Sequence, residues 1–252
     1  MTTTSKSVIR FTWDDGESDG GETIIDYRVT YDQSTSNFVM LADGITERSY
    51  TTSVTLISGR TYVFKVEARN SVGYSAYTAE KSLLAAQVPG QPPTPSTSIS
   101  DNDVMITWTV TDDGSAQIVG YLVKIRQYDG VTFTEDSINC DGTNNAIILA
   151  QTCLVPISRL RANPFNIEWG GSIYVKITAY NLIGSSPESL EGNGAVILAT
   201  PDPPIDFTND VGVTSATQIG LRWSEASENG GTPVLDYRLS MYNTDLAAYE
   251  VV

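Results

Sequence analysis

Apolar and polar residues alternate along several short segments of the chain. The clearest segments are 8–13, 25–31 and 61–68. In the last of these, Tyr62, Phe64 and Val66 share one side, and the residues between them share the other. A period of two is typical of β-strands that bury one face. Clusters of Gly, Asp and Asn separate the segments, and no useful amphipathic helix is evident, so the sequence predicts antiparallel β-sandwiches.

One pattern occurs three times: a strand of alternating apolar residues ends in Trp, and a Tyr follows thirteen or fourteen residues later. The three pairs are Trp13 with Tyr27, Trp108 with Tyr121, and Trp223 with Tyr237. Each Trp is in phase with its apolar neighbours, which predicts core residues and not platforms for sugar or peptide. Repetition at the scale of a domain is typical of proteins built for reach, stiffness or multivalent contact.

Two proline-rich segments, 88–95 and 200–204, separate the copies. Proline fixes its own φ and extends its neighbour, so both segments are predicted to be short, semi-rigid joints. The predicted domains are 1–87, 92–200 and 203–252. The first copy is expected to lack its first strand, and the third to contain only its N-terminal part. A sandwich fragment of about fifty residues cannot bury its own core, so we expect this chain to be a window cut from a longer protein.

These elements resemble the fibronectin type III domain. The resemblance rests on the Trp strand, the Gly-rich turn and the Tyr strand, followed by Leu56 six residues before Tyr62 and by the ending 68–73, which recurs at 179–184. It covers essentially the whole chain and implies an all-β, immunoglobulin-like fold of three tandem β-sandwiches, the outer two incomplete. In the family's pattern Tyr62 is the corner tyrosine, whereas Ile173 takes that position in the second copy.

The second copy departs from the pattern through a seven-residue excess at 164–170. With Cys140, Cys153 and the ending 192–194, this copy resembles repeats in very large surface proteins of ciliated protists. That narrower resemblance implies a surface or filament protein. Trp169, within the excess, is interpreted either as a plug over the end of the sandwich or as an exposed contact residue.

Cys140 and Cys153 are the only two cysteines in the sequence. A bridge between them would close a loop of about a dozen residues and contribute roughly 3 kcal/mol. We predict this disulfide and hence an oxidising compartment, the alternative being two free thiols in a cytosolic domain. No Cys-x-x-Cys spacing is present to indicate a redox role.

The charge and residue types narrow the functional classes. Thirty acidic and 15 basic residues give a formal net charge of −15, which disfavours binding to nucleic acid or to anionic lipid. The sequence contains no His, which removes His-based triads, general bases and metal sites. No apolar run is long enough to cross a bilayer. The sequence therefore predicts no catalytic site, no cofactor, no metal site and no membrane insertion in this segment.

The segment Asp15–Gly20 looks like the start of a calcium loop, with Asp26 at its twelfth position. Its flanks read as strands, and the equivalent turns in the other copies do not repeat the ligand spacing. The favoured interpretation is a hydrated turn in which Gly and Asp supply unusual backbone angles. A calcium site is the alternative.

The function that these observations favour is a structural one: an extracellular or cell-surface spacer or filament segment that works through protein–protein contacts. Its expected partners are copies of itself or other surface proteins, and its many Ser and Thr residues allow O-linked glycans. One alternative is a ligand-binding adhesion module that uses its loops or the segment 164–170. Another is an accessory domain array of a secreted enzyme. Fold alone does not assign function.

Overall fold

The computed structural model describes residues 3–252, with side chains from Thr4 onward, and most of its regular structure is β-strand. The strands of the first repeat are β1 (Thr3–Thr4), β2 (Ile9–Thr12), β3 (Asp26–Tyr31), β4 (Val39–Ile45), β5 (Ser49–Thr51), β6 (Thr61–Arg69) and β7 (Lys81–Leu84). They form two antiparallel sheets, ordered β1-β2-β5 and β4-β3-β6-β7. The inner faces of the two sheets enclose one core.

The second repeat has the same division into a sheet of three strands and a sheet of four. Its elements are β8 (Ser96–Ser100), β9 (Asp103–Thr107), β10 (Ile118–Arg126), β11 (Phe133–Glu135), α1 (Asn145–Ala150), β12 (Thr152–Pro156), α2 (Ile157–Arg161), β13 (Val175–Asn181) and β14 (Gly184–Ser185). The sheets are ordered β12-β9-β8 and β11-β10-β13-β14. The predicted fold class, all-β with tandem β-sandwiches, is confirmed.

The paired Trp and Tyr residues lie in or against the two cores. The rings of Trp13 and Tyr27 meet edge to face with centroids 5.4 Å apart, and those of Trp108 and Tyr121 meet in the same way at 5.3 Å. Trp13 is half-buried, whereas Trp108, both of these tyrosines and Tyr62 are buried. Aromatic pairs favour this edge-to-face geometry, so each pair fixes how the two sheets meet.

The third repeat consists of two strand pairs. Its strands are β15 (Ile205–Asn209), which pairs with β16 (Leu221–Ser224), and β17 (Ser240–Asn243), which pairs with β18 (Ala248–Val251). Trp223 and Tyr237 also meet edge to face, at 5.4 Å, but they are 36% and 43% exposed. Both are more exposed than their counterparts in the first two repeats, because the described residues supply no counterpart of β6 or β13 to cover them.

A two-residue strand precedes β2, where the sequence predicts none. Thr4 pairs with Ile9, and the turn between the two strands is closed by hydrogen bonds between Ser5 and Val8. Both the backbone N–H and the hydroxyl of Ser5 donate to the Val8 carbonyl, and the Ser5 hydroxyl accepts the Val8 N–H. So tight a turn lets even a short segment begin the sheet.

Candidate functional site

The segment between the first two sandwiches is hydrogen-bonded to the second sandwich. The backbone N–H of Gln87 donates to the Gly114 carbonyl, and that of Gly90 donates to the Asp112 carbonyl, both at 2.9 Å. Gly114 and Asp112 belong to the turn between β9 and β10. Ala86, just before Gln87, is fully buried. The linker is therefore docked on the next repeat and does not hang free between the two.

The same pair of contacts recurs at the second joint. The N–H of Ala199 donates to the Gly230 carbonyl at 2.9 Å, and the N–H of Asp202 donates to the Glu228 carbonyl at 3.0 Å. At both joints the two donors are three residues apart and the two acceptors two residues apart. The joint is thus a repeated feature of the chain, as the sandwiches are.

A glycine makes each of these contacts sterically possible. Gly114 and Gly230 have φ of +74° and +72°, a region that residues with a Cβ rarely adopt. A Cβ on Gly114 would lie 2.1 Å from the Gln87 carbonyl oxygen, and one on Gly230 would lie 2.1 Å from that of Ala199. Both glycines are buried in their joints. Sequence reasoning assigned these glycines to a turn and missed their role in docking the linker.

The side chain of Asn181, at the end of β13, closes the first joint from the other side. Its amide nitrogen donates to the carbonyl oxygens of Gln87 and Asp113, at 2.7 and 2.8 Å. Its amide oxygen accepts the backbone N–H groups of Ile183 and Gly184. The amide group of this buried side chain thus donates two hydrogen bonds and accepts two, which satisfies its hydrogen-bonding capacity. Through these bonds Asn181 holds the linker, the turn and the β13–β14 hairpin together.

Two side-chain contacts also cross the first joint. The ammonium group of Lys6 lies 2.7 Å from the Asp112 carboxylate, and it lowers the pKa of that carboxyl, as does the hydrogen bond from the Gly114 N–H. The hydroxyls of Ser58 and Ser115 form a hydrogen bond. These groups are partly exposed, so they add less to the joint than the buried backbone contacts do.

The seven-residue excess at 164–170 ends at the second joint. A Cβ on Gly231 would lie 2.1 Å from the backbone nitrogen of Gly170, so the backbone segments around these two glycines are in contact. Trp169 is partly buried and packs against the second core, and the Arg161 guanidinium lies 4.1 Å from its ring centre. Of the two interpretations of Trp169, the plug over the sandwich end agrees with this position.

Cys140 and Cys153 form the predicted disulfide, with Cα atoms 5.3 Å apart. Both residues are buried in the second core. Cys153 lies on β12, opposite Ile106 of β9, and Cys140 lies in the loop before α1. The bond therefore fastens the segment that contains α1 to the three-stranded sheet.

Asp15 and Asp26, the first and twelfth positions of the calcium-like segment, have other partners. Asp15 is paired with Arg48 and accepts the hydroxyl of Tyr27, and Asp26 is paired with Arg69. The hydrogen bond from Arg48 lowers the pKa of Asp15, whereas burial and the bond to Asp15 raise the pKa of Tyr27. Within residues 3–252 no cluster of three or more His, Cys, Asp or Glu is arranged to hold a metal ion.

Comparison with known proteins agrees with this architecture. The sequence profile of the fibronectin type III domain matches residues 1–82, which hold most of the first sandwich. Over 133 residues the chain is 29% identical to Titin of Drosophila melanogaster, a match that covers 49% of this chain and 1% of that protein. The resemblance to protist surface proteins stays a prediction.

Two solved structures are also similar to the chain. The FN1–FN3 domains of chicken CNTN1 share 16% identity at a TM-score of 0.37, over 99% of this chain and 81% of that one. A stretch of domains from titin shares 19% identity at a TM-score of 0.39, over 75% of this chain and 57% of that one. In the part of the chain that the structure describes, no helix has the length and apolar content to cross a membrane.

Proposed function

We propose that this chain is a structural segment of a long tandem-repeat protein and serves as a semi-rigid spacer or filament building block. The observation that carries the proposal is the repeated joint, in which Gln87 docks on Gly114 and Ala199 docks on Gly230. A linker bonded through its backbone to the next repeat loses most of its freedom to bend. It therefore sets the distance and angle between successive sandwiches, which free linkers leave variable.

The proposed location is outside the cell or on its surface. The buried Cys140–Cys153 disulfide supports it, because such bonds form and persist in oxidising compartments. The proposed partners are copies of this chain or other surface proteins, together with O-linked glycans on exposed Ser and Thr. The excess of acidic residues supports the exclusion of nucleic acid from this set.

The test is to measure whether the first two sandwiches move as one body. Residual dipolar couplings in a weakly aligned sample give one alignment tensor for each sandwich. For the unsubstituted chain we expect the two tensors to agree. In Gly114→Ala we expect them to differ, because the new Cβ would meet the Gln87 carbonyl oxygen and push the linker off the turn.

Gly20→Ala is the matched control. Gly20 lies at the same turn position of the first repeat with φ of +76°, so alanine causes the same backbone strain there. Its Cβ would meet only the Asn70 side chain, at 3.5 Å. This variant should leave the tensors in agreement. Two different tensors in the unsubstituted chain would overturn the spacer proposal.

A further inference from the structure

The first repeat contains the turn that docks a linker in the other two repeats. Gly20 has φ of +76°, and Gly114 has +74°. The N–H of Gly20 is held by the Ser18 hydroxyl, as that of Gly114 is held by the Asp112 carboxylate, at 3.1 and 2.9 Å. The turn is therefore shaped before any linker is present.

Asn70 takes the place of Asn181 behind this turn. Its amide oxygen accepts the N–H groups of Val72 and Gly73, as that of Asn181 accepts those of its own hairpin. Its amide nitrogen donates to the Asp19 carbonyl at 2.8 Å. The second bond that Asn181 makes, to the carbonyl of linker residue Gln87, has no equivalent among the described residues.

The surface around this turn is open. Gly20 is exposed, whereas Gly114 and Gly230 are buried. A Cβ on Gly73 would meet nothing within 4 Å, but one on the corresponding Gly184 would lie 3.1 Å from a methyl group of Val88 in the linker. A surface cavity of about 490 Å³ lies between Gly20, Asn70 and Gly73.

We propose that this turn of the first repeat is a docking site for the linker of another repeat of the same kind. The occupant is an extended segment of the kind at 85–90. One of its N–H groups would donate to the Gly20 carbonyl, one of its carbonyls would accept from Asn70, and its β-branched side chain would lie over Gly73. The inference rests on the proposed function, since it extends the same joint by one repeat.

The test is a graft. Thr4 pairs with Ile9 as Ile99 pairs with Val104, so a copy of residues 84–97 put in place of Met1 and Thr2 has the spacing of the native joint. Amide hydrogen exchange is then measured by NMR at the grafted copies of Gln87 and Gly90. We expect both amides to exchange at least tenfold more slowly than in the grafted chain that also carries Gly20→Ala, where the new Cβ would meet the linker.

The native amides of Gln87 and Gly90 in the same molecule serve as the reference. If the native amides are protected and the grafted ones exchange at the rate of an unstructured peptide, the docking site does not exist and the proposal is overturned. Equal protection of the grafted amides with and without Gly20→Ala overturns it as well. If the native amides are themselves unprotected, the fixed joint of the proposed function fails instead, and the docking site fails with it.

Discussion

The hydroxyl of Tyr62 holds the turn that leads into β6. It accepts the backbone N–H of Ile57 at 2.8 Å, and the tyrosine ring itself is 4% exposed. Tyr62→Phe keeps the ring but leaves this N–H without a partner, which costs about 1 kcal/mol of unfolding free energy. Urea denaturation of the first sandwich measures the loss.

The control for this substitution is Tyr31→Phe. Tyr31 stacks on Tyr62 at a centroid distance of 6.3 Å, and its hydroxyl makes no hydrogen bond to the described residues. Its loss should leave stability unchanged within the error of the measurement. Equal effects of the two substitutions would show that the corner hydrogen bond contributes nothing.

The ion pair of Asp15 with Arg48 should make the stability of the first sandwich depend on pH in the acid range. Arg48 and Tyr27 hold its folded pKa below the ordinary value, so its ionised form stabilises the fold. That contribution is fully present above the unfolded pKa of about 3.9 and is lost as the pH falls through the lower folded pKa. Asp15→Asn should therefore lower the unfolding free energy at neutral pH, and the difference from the unsubstituted chain should shrink below about pH 4.

Urea titrations at several pH values measure this difference. Asp14→Asn is the control, because the Asp14 carboxylate makes no hydrogen bond or ion pair with the described residues. A difference between Asp15→Asn and the unsubstituted chain that stays constant down to the lowest pH would contradict the assignment.

The sequence predicts single residues well where packing alone decides their place. The burial of Trp108 follows from its phase with its apolar neighbours, whereas its contact with the Tyr121 ring is seen only in the structure. The role of Gly114 could not be read in the same way. Some glycines are needed for a positive φ, and others because a neighbouring backbone segment leaves no room for a Cβ. The sequence does not distinguish these two reasons, and the second becomes visible for Gly114 only from the position of Gln87 in the structure.

At the scale of elements, the disulfide and the segment it encloses stabilise the second sandwich together. Cys140 and Cys153 are 13 positions apart, and α1 lies between them. Reduction frees this loop in the unfolded chain and should lower the unfolding free energy by about 3 kcal/mol. Urea denaturation followed through the NMR signals of the second sandwich, with and without reductant, measures the change.

A chain in which both cysteines are replaced by alanine is the control for the reductant. It should unfold at the lower urea concentration whether or not reductant is present. If the reduced and oxidised forms of the unsubstituted chain unfold at the same urea concentration, the bond adds no stability to this sandwich.

The strands are far more predictable than the helices. The alternating segment 61–68 becomes β6 at Thr61–Arg69, and burial alternates with the strand period from Thr61 to Val66. Helix α1 has six residues, too few to display a helical period. It begins because the Asn144 side chain accepts the N–H of Ala146 and ends where Gln151 adopts a left-handed conformation.

At the scale of the whole molecule, the proline-rich segments predict semi-rigid joints, but the prolines account for only part of the stiffness. Pro89 lies buried between Gln87 and Gly90, whose N–H groups carry the two bonds to the next repeat. Proline limits the shapes available to the linker, and the bonds select one of them. The partner atoms lie more than twenty positions along the chain, so no local pattern could reveal them.

Charge and exposed apolar surface act against each other in any contact between copies. The formal net charge of −15 repels a second copy. The two complete repeats also expose single large apolar side chains, including Ile138 at 81%. Contacts between copies should therefore use such local apolar side chains and strengthen when salt screens the repulsion.

We predict that the chain self-associates weakly and that association increases with ionic strength. Sedimentation velocity from low salt to about 1 M, where the screening length is only about 3 Å, should show a growing share of faster species. A chain that stays monomeric at every salt concentration would show that the repeats form a stalk and not an assembly.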